Sequence, residues 1–252
     1  MNRLLEILGR AVTQDLSDII WHWINQAKLY DQNLEPSHYL AIEEILDLID
    51  DRKMQKIDRA LEKVTVYCFE NPDCVYGHMA AAAVYIRQNR VLEAIKELNQ
   101  VYQRQPGNTM ALYSLGLCCE RTDQIQKAIE FYQDCLKFKD YLLLPAQRLA
   151  AIYLAKGQIQ NSIKQYELLV KHYPYDISIL ILLGYLYITD KRYISAIETF
   201  NKAILIHPDN FSSTRFENID ELICEKNYDQ AIDNIEELLA DNPQRAELLV
   251  KK

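Results

Sequence analysis

The sequence has 252 residues, of which 49% are hydrophobic, and its formal net charge is −8. Nucleic-acid binding needs a basic surface, so this negative balance argues against a nucleic-acid partner. The chain contains only 6 glycines and 7 prolines, which is few for a protein rich in sheet turns and favours long helices joined by short turns. No stretch approaches the roughly 18 apolar residues of a membrane span.

The N-terminus and the cysteines indicate the compartment. The opening stretch, MNRLLEILGRAVTQ, carries Glu6 and Arg10 where a signal peptide would have its apolar core. The 6 cysteines follow no disulfide-framework spacing, and the 5 histidines are scattered without companion ligands. We therefore expect a cytoplasmic protein with reduced thiols, no metal site and no cofactor.

The first predicted element is an amphipathic helix over residues 14–30. Its apolar face is formed at helical spacing by Leu16, Ile20, Trp23, Ala27 and Tyr30. We predict that residues 1–40 form an N-terminal helical cap packed on the first repeat, because the outer face of a terminal helical layer would otherwise be exposed to solvent.

The two tryptophans of this helix, Trp21 and Trp23, form a candidate interaction surface. Trp21 lies off the face that contains Trp23, so it is available for self-association or for a partner groove. A membrane-surface helix is disfavoured, because Asp15 and Asp18 accompany a single Lys28 where such helices carry a basic polar face.

After this segment the chain aligns with itself at a spacing of 34 residues. The gapless copies are 41–74, 75–108, 109–142, 143–176 and 177–210, and one inserted residue precedes a sixth copy, 212–245. Each copy holds two amphipathic helical patterns with small residues at their crossing points, such as Gly184 and Ala196. Residues 246–252 are a tail or the start of a further helix.

The turns between copies also repeat. A proline that stops one helix is followed by a residue that caps the next, in Pro72-Asp73, Pro106-Gly107-Asn108, Pro174-Tyr175-Asp176 and Pro208-Asp209-Asn210. The third copy departs from this pattern, because Pro145 falls in the first turn of the following helix, and we expect an altered angle between repeats there. The first copy is the least regular, since Leu48 occupies a slot that is Gly or Ala in the next four copies, and the sixth copy has Ile219 there.

The fifth copy carries the clearest signature. It resembles the tetratricopeptide repeat in every slot but the first, where Leu replaces Trp, through Leu180, Leu183, Gly184, Tyr187, Ala196, Phe200, Ala203 and Pro208. The resemblance implies an all-α fold, a right-handed α-solenoid of about six tetratricopeptide helical hairpins with an N-terminal capping helix. It also implies a concave wall formed by the first helix of each hairpin.

That resemblance assigns a partner-binding groove of apolar and aromatic character to the first helices. Its residues are Tyr76, Met79, Ala83, Tyr113, Leu117, Gln147, Ala151, Ile181, Tyr185, Phe216 and Asp220. Chaperone-binding members of the family resemble one another in a Lys and Asn clamp for a carboxylate, which these positions lack. An amphipathic helix or an extended apolar segment is therefore the expected ligand, and packing between neighbouring first helices is the alternative explanation for these side chains.

Motifs for catalysis are missing from the sequence. It contains no Gly-rich phosphate loop, nucleophile elbow or His-Glu-x-x-His helix, and the repeat pattern already accounts for Cys118 and Cys119 without a thiol switch. We expect a non-enzymatic scaffold or adaptor for a protein or peptide partner. The alternatives are a structural subunit whose groove is filled by another copy, as in a homodimer, or by a constitutive partner, and the repeat region of a longer protein.

The negative charge is concentrated towards the C-terminus, in residues 211–243. We interpret this segment as a solvated acidic cap that keeps the end of the repeat stack from associating. A docking patch for a basic partner is the alternative.

Overall fold

The structure is a computed structural model that describes residues 15–30, 36–50 and 53–206, together with Glu225 and Gln230. Within these ranges the chain forms helices and turns without a strand, which confirms the all-α prediction. The helices are α1 Leu16–Tyr30, α2 Pro36–Asp50, α3 Met54–Glu70, α4 Val75–Arg87, α5 Val91–Arg104, α6 Thr109–Arg121, α7 Ile125–Phe138, α8 Leu143–Ala155, α9 Ile159–His172, α10 Ile177–Thr189 and α11 Tyr193–Ile206. None of these described helices is both long and apolar enough to cross a membrane.

From residue 75 onward the helices repeat with the period of the sequence. The first helices of the repeats, α4, α6, α8 and α10, have 13 residues each, and the second helices, α5, α7, α9 and α11, have 14. The helices of a hairpin pack against each other in α4–α5, α6–α7 and α10–α11, and α5–α6 and α9–α10 join consecutive hairpins. The core is therefore a series of small layers between neighbours.

The described residues fall into two compact units. The first lies within Gln14–Pro145 and contains α1 to α7. The second is described from Ala146 to Ile206 and contains most of α8 together with α9, α10 and α11. The division falls in the first turn of α8, where Pro145 is tolerated because the amide groups of a first turn have no acceptor within the helix.

The first hairpin begins earlier than the sequence boundary. Helix α2 starts at Pro36, inside the segment 1–40 that was predicted as the cap, and with α3 it forms the hairpin of the first copy. Helices α2 and α3 have 15 and 17 residues and are thus longer than their counterparts in the regular repeats. Helix α2 also contacts α4, so this hairpin packs directly on the second repeat.

The regular hairpins share a small residue at the crossing of their two helices, and in two of them it is a glycine against an aromatic ring. A β-carbon added to Gly184 would lie 2.5 Å from the ring of Phe200, and one added to Gly116 would overlap the ring of Tyr132 in the same way. The equivalent pair in the repeat 75–108 is Ala82 and Leu98, both fully buried. At the same positions of the repeat 143–176 stand Ala150 and Tyr166, also fully buried, so the predicted small slot on the first helix is confirmed while its partner ranges from Leu to Tyr.

We expect Gly184→Ala to lower the free energy of unfolding by about 1–3 kcal/mol, because the added methyl group forces the Phe200 ring out of its position. Urea denaturation followed by circular dichroism measures the change. The double variant Gly184→Ala/Phe200→Leu reproduces the pair found at Ala82 and Leu98, so it should lose less stability than the two single losses added together. A strictly additive loss would contradict the proposed contact.

The turn inside each regular hairpin contains a residue with left-handed backbone. The φ angles are 59°, 57°, 71° and 61° at Asn89, Asp123, Gly157 and Lys191. The next amide donates a hydrogen bond back across the turn, as from Arg90 N to the Tyr85 carbonyl at 2.8 Å, which is the Schellman arrangement. Asn, Asp and Gly adopt this conformation readily, whereas Lys191 adopts it against its ordinary preference.

Two of the first helices begin with a side-chain cap, as predicted. Asn108 accepts a hydrogen bond from Ala111 N at 3.0 Å, and Asp176 accepts from the amides of Ser178 and Ile179 at 2.9 and 3.2 Å. These bonds satisfy amides that lack acceptors within the helix.

The other two predicted caps have different outcomes. Asp73 does not cap α4, which begins after Cys74 without a side-chain cap. Instead the Asp73 carboxylate pairs with Arg104 at 3.1 Å, because the capping position falls one residue later. The predicted cap at Asp209-Asn210 and the acidic segment 211–243 lie outside the ranges that the structure describes as elements.

Candidate functional site

In the first unit the predicted groove residues lie on the first helices of two adjacent hairpins. Tyr76, Met79 and Ala83 share one face of α4. Tyr76 is half-buried, whereas Met79 and Ala83 have no exposed surface. On α6, Tyr113 is buried and Leu117 is half-buried. We call the face of a first helix that carries the positions of Met79 and Ala83 the first-helix face.

Helix α1 lies along the first-helix face of α4. At one end Trp23 stacks on Tyr76, with ring centroids 5.5 Å apart and an interplanar angle of 29°. At the other end Arg87, in the last turn of α4, contacts the first residues of α1. Met79 and Ala83 lie between these two contacts on the same face, so α1 runs antiparallel to α4 and covers them. Helix α1 also contacts α6.

A paired arginine holds the start of α1. Arg87 Nη1 donates to Asp15 Oδ2 and Arg87 Nη2 donates to Asp18 Oδ1, both at 2.5 Å. The Arg87 side chain is only 8% exposed, and a guanidinium so buried requires carboxylate partners. Asp15 also accepts hydrogen bonds from the amide and the hydroxyl of Ser17 at 3.0 Å. The same carboxylate thus caps α1 and attaches it to α4.

The packed side of α1 agrees with the predicted apolar face. Leu16, Ile20 and Ile24 are buried, and Trp23 is half-buried against Tyr76. Trp21 is half-buried beside His22, whose ring it meets edge-on at 4.9 Å. The side chains of Ala27 and Tyr30 lie outside the described residues.

The surface on which α1 packs differs from the prediction. Helix α1 lies mainly on α4, touches α6 and α2 to a similar smaller extent, and does not simply cap the first repeat. The physical reason is that α4 offers an apolar face ending in a cation that matches Asp15 and Asp18. Met79 and Ala83, which were predicted to contact a partner, are in this structure covered by the chain itself.

In the second unit the predicted residues remain partly accessible. Gln147 and Ala151 lie on α8 and Ile181 and Tyr185 on α10, and all four are half-buried. They occupy the repeat positions of Met79 and Ala83. The Tyr185 ring meets Phe200 edge-on at 5.6 Å, so this tyrosine is anchored in its hairpin. Phe216 and Asp220 lie outside the described residues.

A polar cluster that sequence reasoning missed connects α3, α4 and α5. His78 Nδ1 lies 2.7 Å from Glu97 Oε2, and His78 Nε2 lies 2.8 Å from the Pro72 carbonyl oxygen. A carboxylate and a carbonyl both accept hydrogen bonds, so this pair of partners favours the protonated form of the His78 ring. The hydrogen bond to Glu97 is the main cause that raises the pKa of His78.

The Cys68 thiol adjoins this pair. Ligand atoms of Cys68, His78 and Glu97 all lie within 4.8 Å of one another, so the expectation that no histidine has companion ligands is wrong for His78. Burial and the charge of Glu97 raise the pKa of Cys68 to about 12, which keeps the thiol protonated. No spacing motif identifies these residues, because they come from three different helices.

Two further thiols are similarly unreactive. Cys118 and Cys119 are buried in α6, and burial raises the pKa of Cys118 to about 12 and also raises that of Cys119. Their burial agrees with the interpretation of both as packing residues of a first helix.

We expect the stability contributed by His78 to decrease as the pH rises. The pKa of His78 in the folded state lies above its ordinary value of 6.5, so the contribution is complete below that value and is lost as the pH rises through the folded-state pKa. Thermal unfolding of the wild type and of His78→Gln from about pH 5.5 to 8.5 should show the largest difference in Tm at low pH. The exposed His22 provides the control His22→Gln, and a difference for His78→Gln that grows with pH would contradict the assignment.

The repeated antiparallel hairpins define the class of this protein as a helical-repeat protein, an α-solenoid. Family models of the tetratricopeptide repeat match residues 79–140 and 177–210. Residues 79–140 and 177–210 of this chain are therefore tetratricopeptide repeats. The matches fall on the regular repeats, where the first and second helices recur at the period of the sequence.

Solved structures with the same fold are similar to this chain at low identity. A crystal structure of MamA shares 20% identity with a TM-score of 0.54, over 64% of this chain and 95% of MamA. MamA from Desulfovibrio magneticus RS-1 shares 18% with a TM-score of 0.50, over 66% of this chain and 93% of that one. YrrB, a TPR protein with an unusual peptide-binding site, shares 17% with a TM-score of 0.51, over 73% and 92%. No curated protein sequence matches this chain.

Proposed function

We propose that this chain is a non-catalytic scaffold or adaptor that binds a helical or extended segment of another protein on its first-helix faces. The proposal rests on the packing of α1 against α4. That face holds an amphipathic helix by stacking Trp23 on Tyr76 and by pairing Arg87 with two carboxylates. A face that binds a helix of its own chain has the apolar surface and the anchors needed to bind a helix from elsewhere.

The second unit offers the same positions in accessible form. Ile181 and Tyr185 on α10 correspond to Met79 and Ala83 on α4, but they are half-buried where Met79 and Ala83 are fully covered. Their apolar and aromatic side chains are suited to an apolar segment rather than to a free carboxylate. The peptide-binding site named for YrrB, a protein of the same fold, supports this use of the scaffold.

A crosslinking experiment tests the proposal on α10. Benzoyl-phenylalanine introduced at Ile181 of the full chain should capture a partner protein when irradiated in extracts of the source organism. The matched control carries it at Ile194, which is 75% exposed on the second helix α11, and should capture much less. With the crosslinker at Tyr185, Ile181→Glu should reduce capture by about tenfold, because a charge replaces an apolar contact.

The outcomes separate the functional alternatives. Equal capture at Ile181 and Ile194 would contradict binding on the first-helix face. Crosslinks from Ile181 exclusively to a second copy of the chain would favour the structural-subunit alternative over an adaptor. An unchanged Tm for Ile181→Glu is expected, since this half-buried side chain is not part of a sealed core, and it excludes unfolding as the cause of lost capture.

A further inference from the structure

We infer that α1 is an intramolecular ligand that occupies the first-helix face of α4 until a partner helix displaces it. The inference rests on the proposed function and specifies the partner's chemistry. Asp15 and Asp18 lie one turn apart at the start of α1, and Trp23 follows on the apolar side. The partner is thus an amphipathic helix with two carboxylates in its first turn and an aromatic anchor about two turns after the first of them.

The contacts of α1 are of a kind that a competitor can replace. The carboxylates of Asp15 and Asp18 are 35% and 37% exposed although Arg87 between them is nearly buried. Trp23 and Tyr76 are both half-buried. The interior of the hairpin α6–α7, by contrast, is closed by Tyr132, which has no exposed surface. Departure of α1 uncovers the buried Leu16, Ile20 and Ile24, so only a helix that buries an equivalent apolar face can displace it.

Arg87 makes the site selective for acidic helices. Without α1 the guanidinium loses both carboxylates, and a buried cation without a partner is strongly unfavourable. A competing helix that brings carboxylates restores these pairs, whereas a purely apolar helix leaves Arg87 unpaired. The arginine thus discriminates against apolar segments as well as attracting acidic ones.

Helix dipoles fix the direction in which the partner binds. Arg87 lies in the last turn of α4, where the partial negative charge of the helix end favours a cation. Asp18 lies in the first turn of α1, where the partial positive charge favours a carboxylate. Pairing these two ends requires antiparallel helices, so a partner helix runs antiparallel to α4 as α1 does.

Attachment to the same chain gives α1 an advantage over any free helix. A segment joined by a short connection acts at an effective concentration of about millimolar, so an equal helix added from solution competes poorly. The measured affinity for such a helix falls in proportion to the fraction of molecules whose face is empty. Weakening α1 in its own chain should therefore strengthen binding from solution.

The experiment uses the full chain and a fluorescent synthetic peptide of residues 14–30 as the probe. The variant Asp15→Asn/Asp18→Asn/Trp23→Ala weakens α1 but leaves α4 and α6 unchanged. Fluorescence anisotropy should show that the probe binds this variant at least about tenfold more tightly than it binds the wild type. Equal affinities would overturn occupation by α1, while the crosslink at Ile181 would still test the proposed function separately.

A charge reversal tests the selectivity of the site. In the weakened variant, Arg87→Glu should abolish binding of the probe, and a probe with Asp15→Lys and Asp18→Lys should restore it. The restoration itself shows that Arg87→Glu folds. Arg121, the exposed residue at the equivalent position of α6, gives the matched control Arg121→Glu, which should leave binding unchanged.

Two further results would overturn the inference. A loss of binding in Arg121→Glu as large as that in Arg87→Glu would show general attraction by positive charge rather than a specific pair. A doubled mass of the wild type in light scattering, lost in the weakened variant, would identify α1 of a second copy as the occupant in place of a partner helix. A monomeric wild type is the expected result.

Discussion

The close crossing of the two helices in each regular hairpin is the constraint on which the described structure depends. The Phe200 ring lies against Gly184 and the Tyr132 ring against Gly116, so each hairpin closes at the same point of the repeat. A fixed crossing gives every first helix the same face towards its own second helix and leaves the same neighbouring face to other contacts. The positions of Met79 and Ala83 recur beside the crossing because the crossing recurs, and Tyr185 at one of them still touches Phe200 of its own hairpin.

What α1 adds is an example of how such a face is used. The face alone supplies apolar surface, which attracts helices without choosing among them. Arg87 adds selectivity, because its burial makes the presence of Asp15 and Asp18 necessary. Stacking of Trp23 on Tyr76 fixes the position of α1 along α4 at the other end. Binding and selectivity are therefore provided by different residues on one helix face.

The period, the hairpins and the small slots could be predicted from the sequence, because an amphipathic pattern and a Gly or Ala at fixed spacing follow directly from helix packing. The packing position of α1 could not be predicted. Its sequence pattern shows an apolar face but does not show which surface that face packs against. The sequence does not single out Arg87 either. The equivalent residue of the next repeat, Arg121, is also an arginine but is exposed, so the repeat position does not predict burial. Likewise, His78 and Glu97 become partners only through the packing of α4 on α5.

The central claim is that α1 is bound to α4 through Arg87, and a double-mutant cycle on the full chain tests it most directly. The free energy of unfolding would be measured for the wild type, Arg87→Met, Asp18→Asn and the double variant. The structure predicts a coupling energy of at least about 1 kcal/mol between Arg87 and Asp18, because the guanidinium is buried and paired. Changes that add to within about 0.3–0.5 kcal/mol would contradict the contact.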